Sequence, residues 1–478
     1  MGNDKAEPWG LHWRSNTLFI LTTVGIGLFS DLFLYCLIVP ILPFILEDRL
    51  GTPQSQVQSQ TSLLLACFAG ASVIFSLPAG IIADKLVTRR QPYLIGLLAL
   101  LGATVLLYVG QSLAVLVLAR VLQGTSAAIV WTVGFAMVMD TVGSEKLGVT
   151  IGSIFSIISV GELLAPVLGG VMYDKTGASG VFAMAFAILG LDFLMRLLII
   201  EKKTAAEFCA VDVSTEQDPG DVEAQQQDPA DANEDSPLLS NGPTKESDWK
   251  ITIESLPCAV QKFPILYCLA HPRLLTAEAV AFTQATLLAV FDATIPLEGQ
   301  DLFGFSALKS GLLFMPLVLP YLILGPVAGK GVDRFGAKPA AAIGMFYLVI
   351  PLILLRIPQA GGTAEIVKFC VFESLAGVGM ALISAPSVVE ATAVVEKYHK
   401  TNPDVFGKEG PYAQLYAINS MVFGLGSTLG PLAAGALKDS IGYGNMNAVV
   451  AALCAVVGVL SCLFLEGRGL NLREWFQK

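Results

Sequence analysis

A thirteen-residue stretch, APVLGGVMYDKTG at residues 165–177, recurs in the second half of the chain as GPLAAGALKDSIG at residues 430–442. A proline, a glycine, an aspartate and a final glycine of the first copy each reappear 265 positions later. A second echo pairs GIIADK at residues 80–85 with GKGVDR at residues 329–334. These internal copies predict a chain built from two similar halves, an organisation typical of secondary transporters.

Long apolar runs surround both copies. The chain is 54% hydrophobic and 14% charged, whereas a soluble domain carries roughly 25% charged residues. Runs such as 94–109 and 113–138 approach the roughly 20 residues that span a bilayer as a helix. We therefore predict an all-α membrane protein with two pseudo-symmetric six-helix bundles, residues 17–200 and 263–466. The predicted spans are 17–45, 61–84, 91–110, 112–138, 148–172, 180–200, 274–297, 309–330, 339–356, 366–394, 412–437 and 445–465.

Three polar segments lie outside the bundles: residues 1–16, 201–262 and 467–478. If both termini share one side, 21 of the 29 Lys and Arg residues fall on that side, and the positive-inside rule makes it cytosolic. The 201–262 segment is acidic and poor in apolar residues, which predicts a disordered linker. Within it, EDSPLL has the form of an acidic dileucine sorting signal, carried by Glu234, Leu238 and Leu239. Sorting adaptors are the partners that such a signal would bind, and the predicted location is the plasma membrane or a vacuolar or endosomal membrane.

Several function classes lack support in the sequence. No basic face interleaved with aromatic residues occurs, so nucleic-acid binding is not expected. No P-loop or Ser, His, Asp constellation appears, and the eight cysteines and three histidines show no metal-ligand spacing. We expect no enzyme activity, no metal and no cofactor, with the proton as the only coupling ion. The expected oligomeric state is a monomer.

The loop after the second predicted helix resembles the signature G-x-x-x-D-[RK]-x-G-x-[RK] of the major facilitator superfamily, although Val87 replaces its second glycine. The resemblance implies a conformational latch between the two bundles, in which Asp140 and Glu390, at the ends of helices 4 and 10, also take part. The predicted latch residues are Gly80, Asp84, Lys85, Arg89, Arg90, Asp140, Asp333, Arg334 and Glu390.

Helices 4 and 5 carry two further motifs. ARVLQG at 119–124 is similar to the superfamily's R-x-x-Q-G element, and GELLAPVLGG at 161–170 resembles the helix-5 motif of its proton-coupled antiporter branch. In that motif glycine and proline allow bending and close helix packing. The resemblance implies antiport, with helix-5 and helix-11 bend residues Gly161, Pro166, Gly170, Pro431 and Gly435.

Within the superfamily, the chain most resembles the vesicular amine transporters and their fungal drug:H⁺ antiporter relatives. DLFLYCLIVPILP at 31–43 and FDATIP at 291–296 carry this resemblance. The sequence departs from that group where its charged residues are expected. The helix-2 lysine falls near Phe68, the helix-10 aspartate near Ser384, and the helix-11 aspartate at Ser420, beside Asn419. The fold and antiport are therefore expected to carry over, but vesicular loading of monoamines or acetylcholine is not.

Charged residues inside the predicted helices need a reason, because one at the bilayer centre costs about 2.5–3.5 kcal/mol on insertion scales. We expect proton or substrate coupling at Asp31, Glu162, Asp292 and Arg120. Aromatic and polar side chains of predicted helices 1, 2, 4, 10 and 11 are candidates for a solute cavity. They are Tyr35, Phe68, Trp131, Ser384, Asn419 and Tyr416.

These patterns lead to one hypothesis and two alternatives. The hypothesis is a proton-coupled antiporter that exports or sequesters a small organic compound, such as a drug-like molecule, amine or secondary metabolite, by alternating access. The first alternative is an exporter of organic anions such as di- or tricarboxylates, with Arg120 as the substrate contact. The second is a membrane receptor or scaffold that transports nothing.

Overall fold

The computed structural model describes residues 8–42, 45–86, 88–202, 265–305, 312–406 and 410–466, with positions 204, 205, 208, 249, 250, 263 and 309. Within these residues, twelve helices are long and apolar enough to cross a membrane, and no strand occurs. The predicted fold class is confirmed. The helices are α1 Thr17–Ile38, α2 Gln54–Lys85, α3 Arg90–Val109, α4 Leu113–Val142, α5 Ser144–Tyr173, α6 Lys175–Leu198, α7 Pro272–Phe303, α8 Phe314–Phe335, α9 Ala337–Leu354, α10 Thr363–Thr401, α11 Tyr412–Ile441 and α12 Tyr443–Phe464.

Helices α1–α6 form the first half and α7–α12 the second. In each half the second helix packs along the fourth, and between the halves α5 packs on α8 and α2 packs on α11. Because the number of spans is even, the chain enters and leaves the bundle on one face. We call this face, where α1 begins and α12 ends, the terminal face, and the other the opposite face.

Large apolar side chains cover the outside of the bundle. Ile74, Leu432 and Leu463 are each 67% exposed, and Ile323 is 66% exposed. A water-soluble monomer rarely exposes a continuous apolar surface of this kind. The chain is an integral, multi-pass membrane protein.

Prolines account for two differences from the predicted helix bounds. α1 ends at Ile38 rather than residue 45, because a 3₁₀ turn with a proline, Val39–Ile41, follows it. α10 was predicted as one helix over 366–394, but it consists of two segments, Thr363–Ile383 and Pro386–Thr401. A proline has no N–H to continue the hydrogen-bond ladder, so α10 breaks immediately before Pro386.

Near the terminal face the two halves touch backbone to backbone. A Cβ atom placed at Gly329 of α8 would overlap the carbonyl oxygen of Gly148 in α5, and one placed at Gly152 would overlap that of Gly325. At the α2–α11 contact, a Cβ at Gly80 would lie 2.6 Å from the carbonyl oxygen of Ala413. Glycine is needed at these positions because any side chain would push the helices apart.

Most of the predicted linker, with the sorting motif Glu234, Leu238 and Leu239, lies outside the described residues. The boundaries predicted for the linker and the two tails remain predictions.

Candidate functional site

Two carboxylates from opposite halves lie within electrostatic range of each other. Glu162 stands near the middle of α5 and Asp292 stands toward the opposite-face end of α7, and their charges interact. Both charges also act on Cys36 of α1. Asp292 is exposed and Glu162 is partly exposed. The structure therefore brings together two predicted coupling residues that lie 130 positions apart in the sequence.

Arg120 of α4 lies near the same part of α1, since its charge, like that of Asp292, acts on Tyr35 and Cys36. Its side chain is fully buried, and its Nη1 donates to the Oε1 of Gln123 at 2.8 Å. Its guanidinium carbon lies 5.8 Å from the ring centre of Tyr35, which stacks on Phe68 at 4.5 Å. Nε and Nη2 of Arg120 have no hydrogen-bond partner among the described residues. We call Tyr35, Phe68, Arg120, Glu162 and Asp292 the central cluster.

Asp31 lies outside the central cluster, in a more deeply buried position of α1. It is 2% exposed, and the Nε1 of Trp131 donates a hydrogen bond to its Oδ2 at 3.1 Å. The sequence singled out both residues but gave no reason to pair them. Their contact joins the middle of α1 to α4 within the first half.

Trp131 also belongs to an aromatic group that crosses between the halves. Its ring stacks with that of Phe423 in α11 at 6.4 Å between centres. Phe135 of α4 lies 6.0 Å from the ring of Tyr416. Tyr416 is fully buried, and its hydroxyl shares a 2.9 Å hydrogen bond with that of Thr392. In this conformation Tyr416 therefore packs inside the helix interface.

Two other predicted cavity residues are enclosed by helix packing. Ser384 is fully buried, and its hydroxyl donates to the carbonyl of Ala381 at 2.8 Å. The Nδ2 of Asn419 donates to the Oε2 of Glu278 in α7 at 3.2 Å. Sequence reasoning missed Glu278, although an acid within an apolar helix was the signal that could have found it. The fold places this carboxylate beside the helix-11 position where the resemblance expects an aspartate.

Sequence reasoning also missed two charged residues of α6. Asp192 and Arg196 are fully buried. The guanidinium carbon of Arg196 lies 3.4 Å from the ring centre of Tyr93 in α3. Their position within an apolar run was visible, but only packing shows that their helix turns them toward α1 and α3.

At the terminal face, each half caps a helix of the other. The carboxylate oxygens of Asp84 accept from the backbone N–H groups of Ala413 and Gln414, both at 2.9 Å, at the start of α11. Asp333 accepts from the N–H groups of Gly148 and Val149, at 2.7 and 2.8 Å, near the start of α5. A carboxylate at a helix start satisfies free N–H groups and complements the helix dipole.

Arg89 supports only the first of these caps. It lies 3.2 Å from Asp84 and 3.3 Å from Asp140, and its Nη1 donates to the carbonyl of Ala83 at 2.6 Å. Burial opposes the charge of Arg89, but Asp140 and Asp84 outweigh it and hold the pKa of Arg89 above its ordinary value. This guanidinium is therefore a permanent part of the first-half network.

Two other predicted latch residues bond within their own half in the described part of the chain. Arg90 donates to the carbonyl of Leu197 at 2.7 Å, inside the first half. Glu390 pairs with Arg273 at 2.8 Å, inside the second. Lys85 and Arg334 are exposed.

The helix-5 motif packs closely against α1, and the α-helix continues through it without interruption. A Cβ at Gly161 would lie 2.8 Å from the ring of a phenylalanine in α1, whereas Gly170 and Gly435 have no heavy atom within 4 Å of such a Cβ. The helices run on through both prolines of the motif, Pro166 and Pro431. Bending at these residues remains a prediction.

Three curated relatives align with most of this chain. An MFS-type transporter ppzB of Metarhizium rileyi is 43% identical over 97% of this chain and 98% of its own. The vesicular acetylcholine transporter of Drosophila melanogaster is 24% identical over 90% of this chain and 69% of its own. The quinolone resistance protein NorA of Staphylococcus aureus is 27% identical over 84% of this chain and 86% of its own.

A solved structure and a family model agree with these relatives. The human organic anion transporter MFSD10 (TETRAN) superposes with a TM-score of 0.61 at 16% identity, covering 93% of this chain and 99% of its own. At that identity the likeness shows the fold alone. The family model of the Major Facilitator Superfamily matches residues 24–402. This chain is a member of the Major Facilitator Superfamily of transporters.

Proposed function

We propose that this transporter is a proton-coupled antiporter that exports or sequesters a small organic compound, cationic or neutral and amphipathic. The observation that carries the proposal is the central cluster, where Glu162 and Asp292 approach each other from opposite halves and remain accessible. Two nearby carboxylates repel each other when both are ionised. They therefore favour either a proton or a cationic solute between them.

The accessible charge of the central cluster is negative. Arg120 is fully buried beneath the ring of Tyr35, whereas Asp292 is exposed. The stacked rings of Tyr35 and Phe68 offer an aromatic face to a planar or cationic group. Names of relatives support this choice, since one is named for acetylcholine, a quaternary ammonium compound, and another for resistance to quinolones.

Alternating access would follow from the two caps at the terminal face. On the charge distribution we place that face in the cytosol. With Asp84 and Asp333 capping α11 and α5, the cytosolic side is closed and the central cluster takes protons from the other side. When the caps release, the halves rock, the protons leave toward the cytosol, and the solute takes their place.

An organic-anion exporter is the second candidate, and one observation favours it. Two nitrogens of Arg120 have no hydrogen-bond partner in the described part of the chain. A carboxylate of the solute would satisfy both at once. This candidate requires Arg120 to become accessible in another conformation.

Proteoliposomes would test the proposal. Uptake of tetraphenylphosphonium, the quinolone norfloxacin and citrate is measured with and without an imposed pH gradient. We expect the gradient to drive accumulation of the first two, and Asp292→Asn to abolish it. Asp404→Asn, which alters an exposed carboxylate outside the spans, is the matched control and should behave like the parent protein.

Other outcomes select the alternatives. Citrate accumulation that disappears in Arg120→Gln would support the anion exporter. If no compound in a wider panel moves, the receptor or scaffold replaces both transport candidates.

A further inference from the structure

Four side chains of the first half form a buried polar group apart from the central cluster. Asp31 comes from α1, Tyr93 from α3, and Asp192 and Arg196 from α6, and none is more than 2% exposed. We call them the α6 group. All four are titratable, and a charge inside an apolar bundle is costly.

Gly27 locates Asp192 relative to Asp31. A Cβ at Gly27 would overlap the hydroxyl of Tyr93 and would lie 3.4 Å from the Oδ1 of Asp192. Gly27 precedes Asp31 by four residues, so both lie on one face of α1, about 6 Å apart along its axis. The carboxylate of Asp192 therefore stands about one helical turn from Asp31, on the side of the terminal face. Its charge acts directly on Asp31.

The polar atoms between these residues have unused hydrogen-bonding capacity. Neither carboxylate oxygen of Asp192 nor the Oδ1 of Asp31 has a hydrogen-bond partner among the residues the structure describes. A buried carboxylate without partners is costly when charged, and a bound proton removes that cost. Two such carboxylates one turn apart are suited to share one proton.

Arg196 lies between Asp192 and the terminal face. It lies one turn after Asp192 and two residues before α6 ends at Leu198 on the terminal face. One guanidinium nitrogen donates to the Sδ of Met137 at 3.0 Å, while Nε and Nη2 have no partner in the described ranges. A cation here favours the ionised form of Asp192 and so helps it release a proton.

We propose that Asp192 is a second proton carrier, which takes the proton from Asp31 and releases it toward the terminal face past Arg196. The inference rests on the proposed function, because it assumes proton-coupled antiport, and it adds Asp31 as a proton-binding residue apart from the central cluster. In the step, the O–H bond of Asp31 breaks and one forms on Asp192, with the hydroxyl of Tyr93 or one water molecule between them taking up one proton as it gives up another, which leaves Asp31 as the carboxylate. Asp192 then gives that proton to water at the terminal face. Asp31 from α1, Tyr93 from α3 and Arg196 from α6 are the titratable groups that face it among the described residues.

This route lies inside one half. It does not pass between Asp84 and α11 or between Asp333 and α5, where the halves close on each other. A proton can therefore leave while the solute path is still closed. Proton and solute would use separate exits.

Trp131 supplies a reporter that needs no solute, because its indole N–H contacts Asp31. Trp9, Trp13, Trp249 and Trp475 are replaced by phenylalanine, and fluorescence of the purified protein in lipid nanodiscs is followed from pH 4 to 9. We expect the Trp131 fluorescence to change in one transition as Asp31 titrates, and this transition should be absent in Asp31→Asn. Because a neighbouring negative charge is removed, Asp192→Asn should move it to lower pH by about 1 unit or more, whereas Asp192→Glu and the control Asp404→Asn should leave it in place. An unmoved transition in a folded Asp192→Asn protein would overturn the proposal.

Flux measurements separate a relay from a structural role. With tetraphenylphosphonium as the probe, Asp192→Asn should keep exchange in the absence of a gradient but lose gradient-driven uptake by about tenfold or more. Equal loss of both activities would mean a structural role and overturn the proposal.

If the parent protein shows no gradient-driven uptake, the proposed function fails, and the fluorescence transition decides the coupling of Asp31 and Asp192 by itself. Should Asp192→Asn not fold, Gly27→Ala, which crowds Tyr93 and Asp192, should reproduce the selective loss.

Discussion

The loops after α2 and α8 are copies of one motif, yet they form different structures around the same cap. Both place an aspartate, Asp84 or Asp333, on two backbone N–H groups of a helix in the other half. Asp84 is also braced by the buried Arg89, which binds Asp140 as well, whereas Arg334, the neighbour of Asp333 in the second copy, is exposed. Both copies thus make the same cap, and the first adds the buried network of Arg89 with Asp84 and Asp140. The two sides of the closed terminal face should therefore differ in strength and in their response to mutation.

The largest effect should come from removing the closest backbone contact. Gly329→Leu forces a side chain into the carbonyl of Gly148. The protein can then no longer adopt the conformation in which the terminal face is closed, and transport falls by at least about tenfold. Gly80→Leu, at the looser α2–α11 contact, should have a smaller effect. Uptake together with labelling of a cysteine introduced at the terminal face would measure both, and equal effects would contradict the difference between the two sides.

Removing Arg89 should come next. Arg89→Gln leaves Asp84 and Asp140 without their buried partner and should cost about 3 kcal/mol of stability. Arg334→Gln changes the exposed counterpart in the second copy and should cost less than about 1 kcal/mol. Thermal unfolding in detergent compares the two, and similar losses would show that the copies are equivalent after all.

The effects of replacing the two capping aspartates should differ from each other by less than those of the two arginines. Asp84→Asn and Asp333→Asn each weaken two hydrogen bonds to backbone N–H groups, worth about 1–2 kcal/mol in total. Asp84→Asn also removes a partner of Arg89, so it should reduce transport several-fold more than Asp333→Asn. A larger effect of Asp333→Asn would reverse this order and assign the main closure to α5 and α8.

The smallest effect concerns the first turns of α1 and α7. The Oδ1 of Asn16 accepts from the N–H of Leu18 at 2.8 Å, whereas the Nδ1 of His271 accepts from the N–H of Arg273 at 3.3 Å. Burial, with the charges of Arg273 and Lys397, lowers the pKa of His271 from 6.5. Folding then favours neutral His271, so its contribution is present above pH 6.5 and is lost as the pH falls toward the lowered pKa.

A substitution isolates this contribution. His271→Asn should keep the cap and remove a pH dependence of less than about 1 kcal/mol, measured as the change in unfolding temperature between pH 7.5 and pH 5. Asn16→Ala should lower stability equally at both pH values. A pH dependence that is unchanged in His271→Asn would assign it to other groups.

The candidate site was predictable in its chemistry but not in its pairings. Asp31, Glu162 and Asp292 stand out because each puts a charge in an apolar run. Their neighbours depend on helix rotation, which the uniformly apolar runs around them do not specify. For the same reason sequence reasoning overlooked Asp192, Arg196 and Glu278, whose buried positions follow from the faces that α6 and α7 turn inward.

By itself, the sequence determined the all-α membrane class, the twelve spans, the two-fold repeat and the superfamily, because length, hydropathy and repeated motifs are local properties of the chain. Tertiary structure alone decided which groups each buried carboxylate meets: Asp31 meets Trp131 and Asp192, Glu278 meets Asn419, and Asp84 meets the start of α11. It also decided that Arg89 braces one cap and that Glu390 stays within its own half. In lipid, helices that are apolar on all sides gain little from one rotation over another. Close packing at glycines and satisfaction of the few polar groups therefore select the arrangement, and both depend on residues far apart in the chain.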